Sequence, residues 1–149
     1  MDGTPRSQID IINQKIKEIN SIYHSAATKA GISDGELCIW SVLLNSDKEY
    51  SQQDICELLS LPRQTVNSIV SNLIKKGLIY LEHVPGTRNC KVIRLSEEGR
   101  IFGNEKIMWI FRAEQDAMKK TDAQEVEAVI SMLEKYITHF RREIESEPQ

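Results

Sequence analysis

Long apolar runs are missing from this 149-residue sequence. A membrane-spanning helix needs roughly 18 or more consecutive apolar residues, and no stretch approaches that, so no membrane partner is expected. The opening MDGTPRSQID has neither the basic nor the apolar segment of a secretory signal, and a cytoplasmic location is expected. Cysteine is scarce. Cys38, Cys56 and Cys90 show no C-x-x-C or other metal-ligand spacing, and an odd, scattered set is a poor disulfide framework that fits a reduced compartment. His24, His83 and His139 lack the close spacing of a metal site, so neither metal nor cofactor is expected. No G-x-S-x-G, Gly-rich phosphate loop, H-E-x-x-H or paired carboxylates in a plausible cleft are present, and an enzyme is not expected. Positive charge is not in excess either. The formal charge of −3 gives no long-range attraction to a polyanion, so any anionic partner has to meet a local patch.

Internal repeats and low-complexity tracts are absent, and the length suits a single domain over 1–149. What is present is helical periodicity. Ile9, Ile12, Ile16, Ile19 and Tyr23 recur at three and four, predicting a first long helix with a narrow seam. Ser33 and Glu36 read as a capping box before LCIWSVLL, a helix too apolar to be exposed on any side, with Cys38 as an inert core residue. Ser51 and Asp54 open a short helix through Ile55, Leu58 and Leu59, with Cys56 also assigned to the core. Leu61-Pro62 forces a turn, with Pro62 at the first position of the next helix. That helix should bury Val66, Ile69, Val70, Leu73 and Ile74 and end at Gly77. LIYLEHV and CKVIRL flank PGTRN as two strands of a hairpin. Ser96 caps one further helix running to Lys120, and Thr121 with Gln124 caps the last. In that final helix Val126, Ile130, Leu133, Ile137, Phe140 and Ile144 step by four, three, four, three and four. The fold class is therefore mainly α with a small β-hairpin wing. A winged helix-turn-helix over 34–95 is flanked by helical parts at 8–30 and 96–146.

The stretch LPRQTVNSIVSNLIKKGL contains no carboxylate. Its polar face carries Gln64, Thr65, Asn67, Ser68, Ser71 and Asn72, side chains that donate to phosphates or pair with base edges. From Pro62 to Leu95, Arg63, Lys75, Lys76, Arg88, Lys91 and Arg94 stand against the single acid Glu82. A helix of this width fits the major groove, and a carboxylate there would be repelled by phosphate. The expected partner is double-stranded DNA, contacted through Ser51, Gln52, Arg63, Gln64, Thr65, Asn67, Ser68, Ser71, Asn72, Lys75, Arg88 and Lys91, with Arg88 placed for the minor groove. The terminal seams predict a homodimer, since two recognition helices on a two-fold axis read half-sites of a pseudo-palindromic operator about 34 Å apart. Its contacts are Ile9, Ile12, Ile16 and Ile19 with Val126, Ile130, Leu133, Ile137, Phe140 and Ile144. Pairing of the two helices within one chain is the alternative.

In element order and in LPRQTVNSIVSNLIKKGLI and VIRLSEEGR, the sequence resembles the multiple-antibiotic-resistance regulator (MarR) family of winged helix-turn-helix transcription regulators, from about Gln8 to Ile144. The resemblance implies a homodimer joined through the first, fifth and sixth helices, with the recognition helix in the major groove and the wing in the minor groove. It also implies release from DNA by a small phenolic or other ligand, or by an oxidant. The wing departs from the family pattern: Gly86 and Thr87 precede Arg88, where an acidic residue usually orients the arginine.

Oxidant-sensing relatives commonly carry their cysteine in the first helix, which here has none, leaving Cys90 beside the wing as the redox candidate. A small-molecule effector would lie near Tyr23, Trp40, Met108, Trp109 and Phe111, an aromatic cluster that equally suits a core. The expected function is a ligand-released dimeric repressor. A protein-binding winged helix without DNA contact, and a thiol-based redox regulator, are the alternatives.

Overall fold

The computed structural model describes residues 3–148. Its elements are α1 (Pro5–Ala30), α2 (Asp34–Asn45), α3 (Gln52–Leu59), α4 (Arg63–Lys75), β1 (Ile79–His83), β2 (Lys91–Leu95), α5 (Glu97–Phe102), a π-helical turn (Gly103–Ile107), α6 (Met108–Lys119) and α7 (Ala123–Ser146). β1 and β2 pair antiparallel, from Ile79 opposite Leu95 to His83 opposite Lys91. This is the mainly helical, winged architecture that the sequence patterns predict. Among the described residues no helix is long and apolar enough to cross a membrane. The chain divides into two compact units, one ending at Phe111 and one beginning at Arg112.

The first unit is organised around α2. Leu37, Ile39, Trp40 and Val42 are buried with Ile55 of α3, Val66, Val70 and Leu73 of α4, Ile79 and Ile93 of the hairpin, and Ile107, Ile110 and Phe111. Ser33 caps α2 as predicted, accepting from the Glu36 amide at 3.1 Å. The expected capping box is not completed, because the Glu36 carboxylate turns inward and accepts from Trp40 Nε1 at 3.0 Å. A buried indole N–H needs an acceptor, and one helical turn back is the nearest position that can offer it. Glu36 is 8% exposed. Trp40→Phe is accordingly expected to lower stability by about 1–3 kcal/mol by orphaning that acceptor, read as a shifted urea midpoint at unchanged slope. Glu36→Gln, which keeps an acceptor in place, should cost less.

Three burial expectations need correction. Cys38 is exposed, not core, because it shares an outward stripe of α2 with Asp34 and Asn45 at i, i+4 and i+11 spacing. Although the residue reaches solvent, surrounding protein desolvates the thiol and Asp34 adds negative charge, so its pKa is raised and the thiolate disfavoured. Leu58 is 56% exposed, since α3 turns Ile55, Cys56 and Leu59 inward and leaves Leu58 round the side. Ile74, 39% exposed, falls at the edge of the stripe centred on Val66, Val70 and Leu73.

The helix expected to run unbroken from Ser96 to Lys120 contains the π turn, in which the Met108 N–H donates to the Gly103 carbonyl five residues back. Gly103 lies against α2: a Cβ there would stand 2.6 Å from Leu44 Cδ2 and 3.2 Å from Trp40 Cζ3. The extra residue lets Gly103 make that approach while Ile107, Ile110 and Phe111 still reach the core.

In the second unit α7 starts from Asp122, not from the predicted Thr121. Asp122 accepts from the amides of Gln124 at 2.9 Å and Glu125 at 3.1 Å, while Thr121 Oγ1 bonds back to the Ala117 carbonyl at 3.3 Å. A carboxylate satisfies two orphan donors and complements the positive end of the helix, which a hydroxyl does less well.

Candidate nucleic-acid interface

α3 and α4 form a helix-turn-helix whose joints are all specified locally. At the start of α3 the capping box is complete: the Asp54 amide donates to Ser51 Oγ at 3.1 Å and the Ser51 amide to Asp54 Oδ2 at 2.9 Å. Ser60 closes α3 in the left-handed region at φ 52, and Leu61 N–H returns to the Cys56 carbonyl at 3.2 Å. Pro62 is the N-cap of α4, one position earlier than predicted, which makes Arg63 its first residue. The far end is a Schellman turn. Gly77 at φ 72 donates to Ile74 and Leu78 to Leu73 at 3.0 Å, with both leucines buried.

Between these joints, burial of Val66, Val70 and Leu73 fixes the rotation of α4. Arg63, Gln64, Thr65, Asn67, Ser68, Ser71, Asn72 and Lys75 consequently all face solvent. Gln64, Asn67 and Arg63 of this face join Gln52, Gln53 and Cys56 of α3 around a groove of ≈ 580 Å³. Gln53 and Cys56 were not selected from the sequence. The signal for Gln53 was its i, i+4 spacing to Glu57, which the structure turns into a bond from Gln53 Nε2 to Glu57 Oε1 at 3.0 Å.

The wing follows β1. Pro85 and Gly86, the latter at φ 80, form its turn, with the Thr87 amide 3.3 Å from the Val84 carbonyl. Thr87 Oγ1 donates to the same carbonyl at 2.7 Å, and His83 Nε2 lies 3.3 Å from the Arg88 carbonyl. These bonds order the tip, where Gly86 and Thr87 precede Arg88. Arg88 and Lys91 are exposed. Lys91, Asn89, Cys90 and Leu81 line a second groove, of ≈ 380 Å³, with Ser51, Gln52 and Gln53.

Arg94 does not belong with the free cations of the patch. Its guanidinium donates to Glu82 at 2.8 Å and to Glu49, both of which hold it more firmly charged, Glu82 most. Glu49 lies 45 residues before Arg94 and outside the basic stretch from Pro62 to Leu95, so only the fold reveals the pairing. Arg94 and the Ile93 amide, which reaches the Tyr50 carbonyl at 2.8 Å, tie the hairpin to the segment preceding α3.

Of the predicted effector residues, Trp40 and Phe111 are fully buried, and Tyr23, Met108 and Trp109 pack half-buried against the same core. The Lys29 ammonium lies 5.4 Å above the Trp109 ring. Cys90 is exposed and Cys56, assigned to the core, is half-buried. Along the α1 seam Ile9 is half-buried while Ile12, Ile16 and Ile19 are exposed. On α7 Val126 is half-buried, and Ile130, Leu133, Ile137, Phe140 and Ile144 are exposed.

Residues 30–88 match the sequence profile of the MarR family. No curated protein matches the chain significantly. Among solved structures, a MarR family regulator from Neisseria meningitidis aligns with a TM-score of 0.77 at 17% identity, over 93% of this chain and 96% of that one. CouR from Rhodococcus jostii RHA1, bound to p-coumaroyl-CoA, gives 0.71 at 15% identity over 91% and 95%. BpsR from Bordetella bronchiseptica, whose DNA binding is regulated by 6-hydroxynicotinic acid, gives 0.64 at 16% identity over 85% and 90%. At such identities the likeness is one of fold. Residues 30–88 therefore resemble the MarR family in sequence, and over most of its length the chain has the winged-helix fold of solved regulators of that family.

Proposed function

We propose that the protein is a homodimeric, sequence-specific double-stranded-DNA-binding transcription regulator, a repressor released by a small ligand. The observation that carries this reading is the exposed, carboxylate-free face of α4, held outward by its own buried stripe and flanked by Arg63 and Lys75. Residues 34–95 act as the DNA-reading part, while 8–30 and 96–146 supply the dimer contacts. α4 enters the major groove, Arg88 the adjacent minor groove, and Ser51, Gln52 and Lys91 meet the backbone between them.

Release is supported by relatives in fold, one bound to p-coumaroyl-CoA and one whose DNA binding answers to 6-hydroxynicotinic acid. An anionic aromatic effector suits the half-buried rim of Tyr23, Met108 and Trp109, where Lys29 supplies positive charge.

Duplexes selected from a random pool by the full-length protein test the DNA reading. Arg63→Ala and Asn67→Ala are each expected to weaken binding to the selected duplex about tenfold, within the range of a lost base contact. Binding should also fall steeply between about 50 and 200 mM salt, as counterion release requires. Unchanged affinity in both variants, or a salt-independent constant, would reject the assignment.

A further inference from the structure

Arg63 is bonded into a relay. Its Nη2 donates to Gln53 Oε1 at 3.1 Å, and Gln53 Nε2 donates to Glu57 Oε1 at 3.0 Å. The orientation of the Gln53 amide is fixed by its partners: a carboxylate only accepts and a guanidinium only donates, so the amide can satisfy both in one way alone. We infer that Glu57 and Gln53 position Arg63 to read a guanine in the major groove, an inference that rests on the DNA reading above.

Three features point to a base edge. Arg63 is the first residue of α4, and the N-terminal residues of a recognition helix are those that contact bases. Within the α3–α4 groove it is also the one donor-only side chain, beside Gln52, Gln53, Gln64 and Asn67, which both donate and accept. Guanine, presenting two acceptors at O6 and N7, is the base edge that matches a donor-only fork. Finally, the relay orients the arginine without neutralising it. Arg94 is ion-paired to two carboxylates, whereas Arg63 touches a neutral amide and Glu57 stands one residue removed. Four of its five donors stay available, and restricting the side chain before binding lowers the ordering cost on contact.

The test measures base preference with the full-length protein, by competing duplexes that carry each of the four bases at every position of the selected site. The expected result is one position per half-site where guanine is preferred about tenfold or more, flattened by Arg63→Ala. Glu57→Ala should lower that preference about two- to tenfold, the range of one hydrogen bond. Overall affinity should hold or rise, because a carboxylate near phosphate has been removed. The double variant should match Arg63→Ala alone. A Glu57→Ala variant whose affinity shifts equally for all four bases, with the guanine preference intact, shows a purely electrostatic role for Glu57 and overturns the relay. A guanine preference that survives Arg63→Ala, or an Arg63 effect equal for all bases as a phosphate contact would give, overturns it as well. Failure to select any duplex overturns the DNA reading and the inference together.

Discussion

Gly99→Ala is expected to destabilise the protein by about 3–5 kcal/mol, beyond the usual cost of one substitution, and to lower Tm by about 10 °C or more. A Cβ at Gly99 would lie 1.8 Å from the Leu78 carbonyl oxygen, 2.8 Å from its carbon and 3.2 Å from its Cα. All three are backbone atoms, so no rotamer relieves the overlap and the helix has to move. The junction is tightly bonded: Ser96 Oγ donates to the Gly77 carbonyl at 2.6 Å, the Ser96 amide to Leu78 at 3.1 Å, and the Gly99 amide to Ser96 Oγ at 2.9 Å. α5 is thereby seated on the turn that ends α4, and displacing one displaces the other. Gly35→Ala provides the contrast. Its nearest neighbour is the terminal methyl of Ile69 at 3.1 Å, which can rotate, and alanine favours the helix. Urea midpoints of the two variants should therefore differ widely, and a near-neutral Gly99→Ala would show that the helix seats on α4 less tightly.

The contrast explains why some features were legible in the sequence and others were not. Ser51–Asp54 and Gly77 act through bonds within a few residues, so spacing alone identifies the capping box and the Schellman turn. Val66, Val70 and Leu73 repeat at helical spacing, and that repeat decides which side of α4 faces out. Glu36 misled because two local options compete, the helix cap and the Trp40 indole, and only burial decides between them. Asp122 displaced Thr121 for a similar reason, each being a fair cap by spacing. Arg94 looked like a free cation because Glu49, 45 residues away, meets it only once the hairpin folds back. The π turn depends on the contact of Gly103 with Leu44 and Trp40, a distant event with no local sequence mark. Gln53 carries no signal of its own in the sequence, because its role depends on Arg63 and Glu57 together imposing one orientation on its amide.

The combined substitution Leu133→Glu and Ile137→Glu is expected to turn the proposed dimer into a monomer and to lower affinity for the full operator about a hundredfold or more, the range over which linked binding exceeds a single site. Leu133 and Ile137 are 38% and 51% exposed, so a carboxylate at either costs the single chain little. In an interface the same carboxylates would be desolvated without partners, a cost of several kcal/mol per buried charge. Stability of the isolated chain and stability of the assembly thus respond differently to one change, and sedimentation equilibrium beside operator titration separates them. Affinity for an isolated half-site should stay close to that of one wild-type head, since α4 is untouched. A wild-type protein that sediments as a single 17.1 kDa chain would reject the dimer outright. The seam of Ile130, Leu133, Ile137, Phe140 and Ile144 would then need another occupant, because a regular row of exposed apolar side chains is seldom left in contact with water.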